Sequence, residues 1–184
     1  LGCLTKWNEY EGTFIPMFKD TLETAMLDTV DISGGIGSIL AIKDDDELEL
    51  CKRAAVLTNK VMKHGFVSKM QDILENDSKV GHDKLAQDTQ EVIEDPSKIG
   101  LNVPPDQVDV CYFPIVQSGG KYDLRISAET NKDVLQPDVI VASLGARYKD
   151  YCASVARTFL VDAPERINIV YKRLLDVYDH ALSK

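Results

Sequence analysis

The chain has no two cysteines at metal-ligand spacing. Cys3, Cys51, Cys111 and Cys152 stand far apart, which argues against a zinc knuckle or a Cys-x-x-Cys redox centre. Cys51 falls in a helical pattern and Cys111 and Cys152 in strand patterns, so they are expected to be small buried hydrophobes of an intracellular protein. Histidine is scarce as well. His64 follows a basic helix end, His82 and His180 fall on polar faces, and all three are expected to be solvated. No apolar run approaches the roughly 20 residues that cross a bilayer, and no signal-peptide pattern opens the chain. Positive charge is also short: 21 Lys and Arg against 30 Asp and Glu leave a net charge of −9. That balance is wrong for a nucleic-acid surface but compatible with a basic protein partner. Glycine clusters once, in Ser33-Gly34-Gly35-Ile36-Gly37-Ser38. The cluster lacks the Lys-Ser/Thr of a phosphate-binding loop and any Gly-x-Gly-x-x-Gly spacing, so it reads as a break between elements.

What is present is enough for a core. The 184 residues, 44% of them hydrophobic, suit one domain of ordinary size or a piece of a larger protein. Because it opens at Leu1 without Met, the chain reads as part of something longer. Trp7, Tyr10, Phe14, Met17 and Phe18 recur at helical steps across residues 1–30, with Pro16 expected to interrupt them. Asp44-Asp45-Asp46-Glu47 suits a helix N-terminus through capping and the macrodipole, which makes a metal or histone site there the weaker reading. Leu50, Ala54, Leu57, Val61 and Met62 continue that helix, and Gly65 is expected to stop it. Phe66 to Leu74 then form a second helix and Leu85 to Ile93 a third. Strand patterns follow at 108–116, 122–127, 139–144 and 151–161. After Pro164, Ile167, Val170, Tyr171, Leu174, Leu175, Tyr178 and Leu182 mark one face of a last helix.

The most informative stretch runs from Asp138 to Phe159: an apolar strand, a connection carrying Gly145 and Arg147 to Asp150, and a second strand ending in Arg157-Thr158-Phe159. By periodicity alone this is an ordinary hairpin. Taken with Ser118-Gly119 and the distances between these pieces, it resembles the metal-binding hairpin of the pita-bread peptidases, which include methionine aminopeptidases, aminopeptidase P and prolidases. The resemblance implies an α+β fold, a partial pita-bread lobe with helices packed on an antiparallel sheet. Residues 1–43 would close an N-terminal lobe and its linker, and 44–184 would form the first half of the peptidase-like lobe, truncated.

The same resemblance implies that the chain is not an enzyme. Where the family has two metal-ligand aspartates this chain has Ser143 and Ser154, and where it has a substrate-handling histidine it has Ile126. Divalent cations that activate water require anionic oxygen ligands, and a serine hydroxyl carries no charge. An isoleucine cannot move a proton. No catalytic residue, metal or cofactor is therefore expected; Ser143 and Ser154 should approach each other across the hairpin with no ion between them. Ser118, Gly119, Ser143 and Ser154 become candidates for lining a peptide-binding cleft.

Within the family, Phe113 to Arg125 and Ser143 to Lys149 resemble the peptidase-like domains in large subunits of FACT-type histone chaperones. That likeness implies a nuclear, chromosomal protein that reorganises nucleosomes in transcription, replication and repair. Its implied partners are histones, the nucleosome, the transcription and replication machinery, and the small FACT subunit through other domains. No membrane and no direct nucleic-acid contact by this stretch are implied. Two other readings stand beside it: an active metallo-aminopeptidase with unusual ligands, and a ribosome- or RNA-binding pseudo-peptidase, which the acidic balance disfavours.

Overall fold

The computed structural model describes residues 1–4, 12–125 and 127–184. Trp7 and Tyr10, expected on the first amphipathic helix, and Ile126 lie outside the described residues. The chain divides into two compact units, Leu1–Asp45 and Asp46–Lys184.

In the first unit β1 (Gly2–Cys3) pairs in parallel with β2 (Val30–Asp31) around α1 (Phe14–Thr24). Pro16 does not interrupt that helix. It sits in the first turn, where a missing N–H breaks no intrahelical bond. The glycine cluster is not a break either: Ser33–Ala41 form α2. Each glycine disfavours a helix by about 1 kcal/mol, but the Asp31 carboxylate accepts the Ser33 N–H at 2.9 Å, and Ser38 Oγ donates to the Gly34 carbonyl at 2.9 Å. Local capping thus supplies an acceptor that composition alone does not reveal.

The second unit, from Asp46, opens in the first turn of α3 (Asp45–Lys60), which the acidic run starts as expected. Gly65 does not stop it. The chain stays helical through wide π-type turns at Val61–Val67 and on into α4 (Ser68–Glu75). Gly65 is buried where α5 (His82–Glu94) crosses, and a Cβ there would stand 3.1 Å from Val92 Cγ1. This glycine lets two helices approach closely; it does not terminate one. The proline-rich loop that follows holds two short 3-10 turns, Pro96–Ile99 and Pro105–Gln107.

β3 (Val108–Gln117), β4 (Asp138–Tyr148) and β5 (Tyr151–Val161) form an antiparallel sheet with β4 in the centre. Side chains alternate between its two faces. Ile140, Ala142, Leu144 and Ala146 of β4 are buried with Leu57, Phe66, Leu85 and Ile93 of the helices, and this layer is the core. The odd positions of β4 face the other way. The hairpin expected at 139–144 and 151–160 is present, in the register Ile140↔Phe159 and Leu144↔Val155.

Two strand expectations need correction. Gly145 is not in the connection, which is the tight turn at Lys149 and Asp150; it lies inside β4, opposite Ser154. A Cβ on Gly145 would stand 3.0 Å from Tyr112 Cε1, 3.1 Å from Cys111 Cβ and 3.2 Å from the Ala153 carbonyl oxygen, so this glycine makes room for the bulged strand β3. Gly145→Val is therefore expected to cost about 1–3 kcal/mol by overpacking, read as a lower denaturation midpoint at unchanged slope.

The second correction is 122–127, whose described residues are loop. Its polar groups are held by side chains. Gln117 Nε2 donates to the Asp123 carbonyl at 3.0 Å, its Oε1 accepts the Asp123 N–H at 2.8 Å, and Tyr122 Oη donates to the Val139 carbonyl at 2.8 Å. These bonds satisfy the backbone that a ladder would otherwise pair.

The last helix, α6 (Glu165–Leu182), forms as expected but leaves Val170, Leu174, Tyr178 and Leu182 exposed. No helix of the described residues is long and apolar enough to cross a membrane.

Candidate functional site

The sheet face opposite the core forms the floor of a cleft of about 750 Å³. Register places its residues: Ser143 of β4 stands opposite Ile115 of β3 and Ala156 of β5, while Tyr112 and Ser154 both flank Gly145. Ser143 and Ser154 therefore share this face on the diagonal, two positions out of register, and are not directly paired. Ser143 is half-buried and Ser154 exposed. The Ser143 hydroxyl is engaged by Tyr112, at an Oη–Oγ distance of 2.7 Å. Tyr112 reaches it because β3 is bulged on both sides of that residue. Pro114, which has no N–H to donate, lies within the second irregularity, and Thr130 Oγ1 bonds both the Pro114 carbonyl and the Val116 N–H.

The mouth of the cleft is apolar and acidic. Leu124 and Phe113 are exposed there, with Asp123, Arg125 and Glu129 beside them. Arg125 Nη2 donates to Asp123 Oδ2 at 2.7 Å, and Arg125 Nε reaches both carboxylate oxygens. These bonds hold the Asp123 carboxyl down to about 2, so it stays ionised across the working range of the protein.

Ser118 and Gly119 lie elsewhere. Ser118 is buried, and its Oγ accepts the Gln136 N–H at 2.9 Å and bonds His82 Nε2 at 2.7 Å. His82 is the largest correction to the sequence reading. It is fully buried at the N-terminus of α5, not solvated, and its Nδ1 lies 2.7 Å from Asn131 Oδ1. No local pattern signals this, because its partners lie 36 and 49 residues away. Gly119 takes a positive φ of 75° in the turn after β3, which favours glycine.

The cysteines need a smaller correction, since none is fully buried and Cys152 is exposed. Burial, followed by the neighbouring Cys152, pushes the Cys111 thiol up to about 11.

The donor set does not suit a di-metal centre. Ser143 and Ser154 present neutral hydroxyls, the first already bonded to a phenol. Among the described residues no three His, Cys, Asp or Glu side chains converge.

Residues 49–184 match the model of metallopeptidase family M24. The chain belongs to family M24. Within it, the chain is similar to FACT complex subunit SPT16 of Oryza sativa subsp. japonica, with 37% identity over 94% of this chain and 17% of that protein. Among solved structures it is similar to the N-terminal domain of FACT complex subunit SPT16 from Cicer arietinum, with a TM-score of 0.80 and 40% identity over 84% of this chain and 37% of that one. An X-Pro aminopeptidase from Thermotoga maritima MSB8 shares the fold, at a TM-score of 0.65 and 20% identity over 94% of this chain and 52% of that one. The M24 pita-bread architecture is thus present, with its helices on an antiparallel sheet. The chain spans about a sixth of the length of the curated relatives it matches.

Proposed function

We propose that this M24 chain is a non-catalytic, peptide-binding part of a FACT-type histone chaperone. In this reading residues 1–43 close an N-terminal lobe and 44–184 begin the peptidase-like lobe. The observation that carries the proposal is the Tyr112–Ser143 hydrogen bond on the cleft floor. It joins two neutral hydroxyls where metal hydrolysis would need carboxylates. Ser154, and Ile126 from the sequence, complete the loss. What is left is a groove whose floor carries neutral hydroxyls and apolar side chains, with Glu129 and the Arg125-paired Asp123 at its mouth, suited to an extended basic peptide such as a histone tail. Ser143, Tyr112 and Leu124 line it, and Ser154 lies on the same sheet face; Ser118 and Gly119 lie outside it. The nucleosome, the small FACT subunit and the replication and transcription machinery belong to the whole protein, which acts on chromatin in the nucleus.

Calorimetry of the chain with histone-tail peptides, beside a cleavage assay on amino-terminal dipeptides with Mn, Co or Zn added, tests this. Binding without cleavage is expected, with affinity falling as salt rises. Leu124→Asp, at a position 82% exposed, should weaken binding by about three- to tenfold. Metal-dependent cleavage without tail binding would reject the proposal in favour of a peptidase.

A further inference from the structure

A second groove, of about 360 Å³, runs along the outer side of α3. Its chemistry is opposite to that of the chain. Lys52, Val56 and Lys60 follow one another at four-residue steps, so they form a single stripe on the helix. All three are exposed, Val56 to 55%. Facing them is the segment Leu101, Asn102, Val103 and Pro104. The proline restricts Val103 to extended backbone, and Pro104 is itself extended, with ψ at 131°.

Two features mark this groove as unfinished. The one acid in it, Glu49, is taken up by Arg53 at 3.2 Å, and that guanidinium also stacks over the Tyr148 ring. Among the described residues Lys52 and Lys60 make no ion pair. The backbone N–H groups of Asn102 and Val103 likewise have no partner there. An extended segment with free amides beside an apolar strip offers a template for strand addition.

We infer that this groove binds an extended acidic peptide with an apolar residue at its centre. Spacing sets the pattern. Lys52 and Lys60 are eight residues apart, about 12 Å along a helix. An extended chain covers that distance in about four residues, and its side chains at i, i+2 and i+4 share one face. The fitting sequence is therefore acid-x-apolar-x-acid: the apolar side chain enters between Val56 and Val103 and the carboxylates meet the two lysines. Single-stranded nucleic acid is the weaker occupant, because no exposed aromatic ring lines the groove for base stacking. This inference is independent of the cleft on the sheet.

The test is fluorescence anisotropy of the full chain with a labelled Thr-Glu-Thr-Phe-Thr-Glu-Thr peptide. Binding at about 10–100 μM is expected, falling with salt. Lys52→Glu with Lys60→Glu, and separately Val56→Asp, should each weaken it by at least about tenfold; all three sites are exposed, and circular dichroism checks the fold. Moving the phenylalanine by one position should weaken it similarly. The inference is overturned by no binding, by equal binding of a Lys-for-Glu peptide, by variants that bind normally, or by displacement of the peptide by an oligothymidylate that binds more tightly.

Discussion

Phe66→Ala is expected to remove about 3–5 kcal/mol of stability. Phe66 is 1% exposed, sits on the π-type turns between α3 and α4, and packs its ring against Phe159 of β5, centroid to centroid at 5.9 Å. It is one of the side chains that join the helical layer to the sheet, and its volume cannot be refilled by neighbours from both layers at once. A domain has about 5–15 kcal/mol in total, so the variant should approach the threshold of folding. At about 2–4 °C per kcal/mol for a chain of this size, the midpoint should fall by about 6–20 °C. Phe66→Leu keeps most of the contact and should lose much less. Urea denaturation of both variants measures this; equal losses would mean that the site collapses freely and that the ring does not bridge the two layers.

His82→Ala is expected to cost about 2–4 kcal/mol, through a cavity and a stranded polar group together. Asn131 is held in orientation by Asp133, whose N–H donates to Asn131 Oδ1 at 3.0 Å and whose carboxylate accepts from Asn131 Nδ2 at 3.1 Å. Asn131 Oδ1 therefore faces His82 as an acceptor, and the neutral ring donates from Nδ1. Nε2 is then left to accept the Ser118 hydroxyl proton, while Ser118 Oγ takes the Gln136 N–H. Each ring nitrogen of His82 thus has one partner. His82→Phe fills the volume but strands the Ser118 proton, at about 1–3 kcal/mol. Adding Ser118→Ala to that variant removes both ends of the bond and should recover part of the loss. If the double variant is as unstable as the sum of its two single changes, the hydrogen bond is not the source of the effect.

The difference between the legible and the hidden parts of this chain has a physical basis. The hairpin was readable because alternation along β4 and β5 is a local, period-two signal that one buried face imposes. α3, α5 and α6 were readable because their apolar stripes repeat at helical spacing. Gly65 and Gly145 misled, since a glycine needed for close approach of another element looks the same in sequence as one needed for a turn. The segment 122–127 misled because its apolar residues suggest a strand, while Gln117 and Tyr122 make the bonds that a partner strand would have made.

The residue types at 126, 143 and 154 are facts of the sequence, and the proposal about chemistry draws on them without coordinates. Fold class and the hairpin were legible in the residues alone, and so were the serines at 143 and 154. Tertiary structure decided where Tyr112 would reach, that His82 and Ser118 would be buried together, and that Lys52 and Lys60 would flank an extended loop. Those outcomes join residues tens of positions apart, and only the closing of the chain on itself brings their atoms within reach of one another.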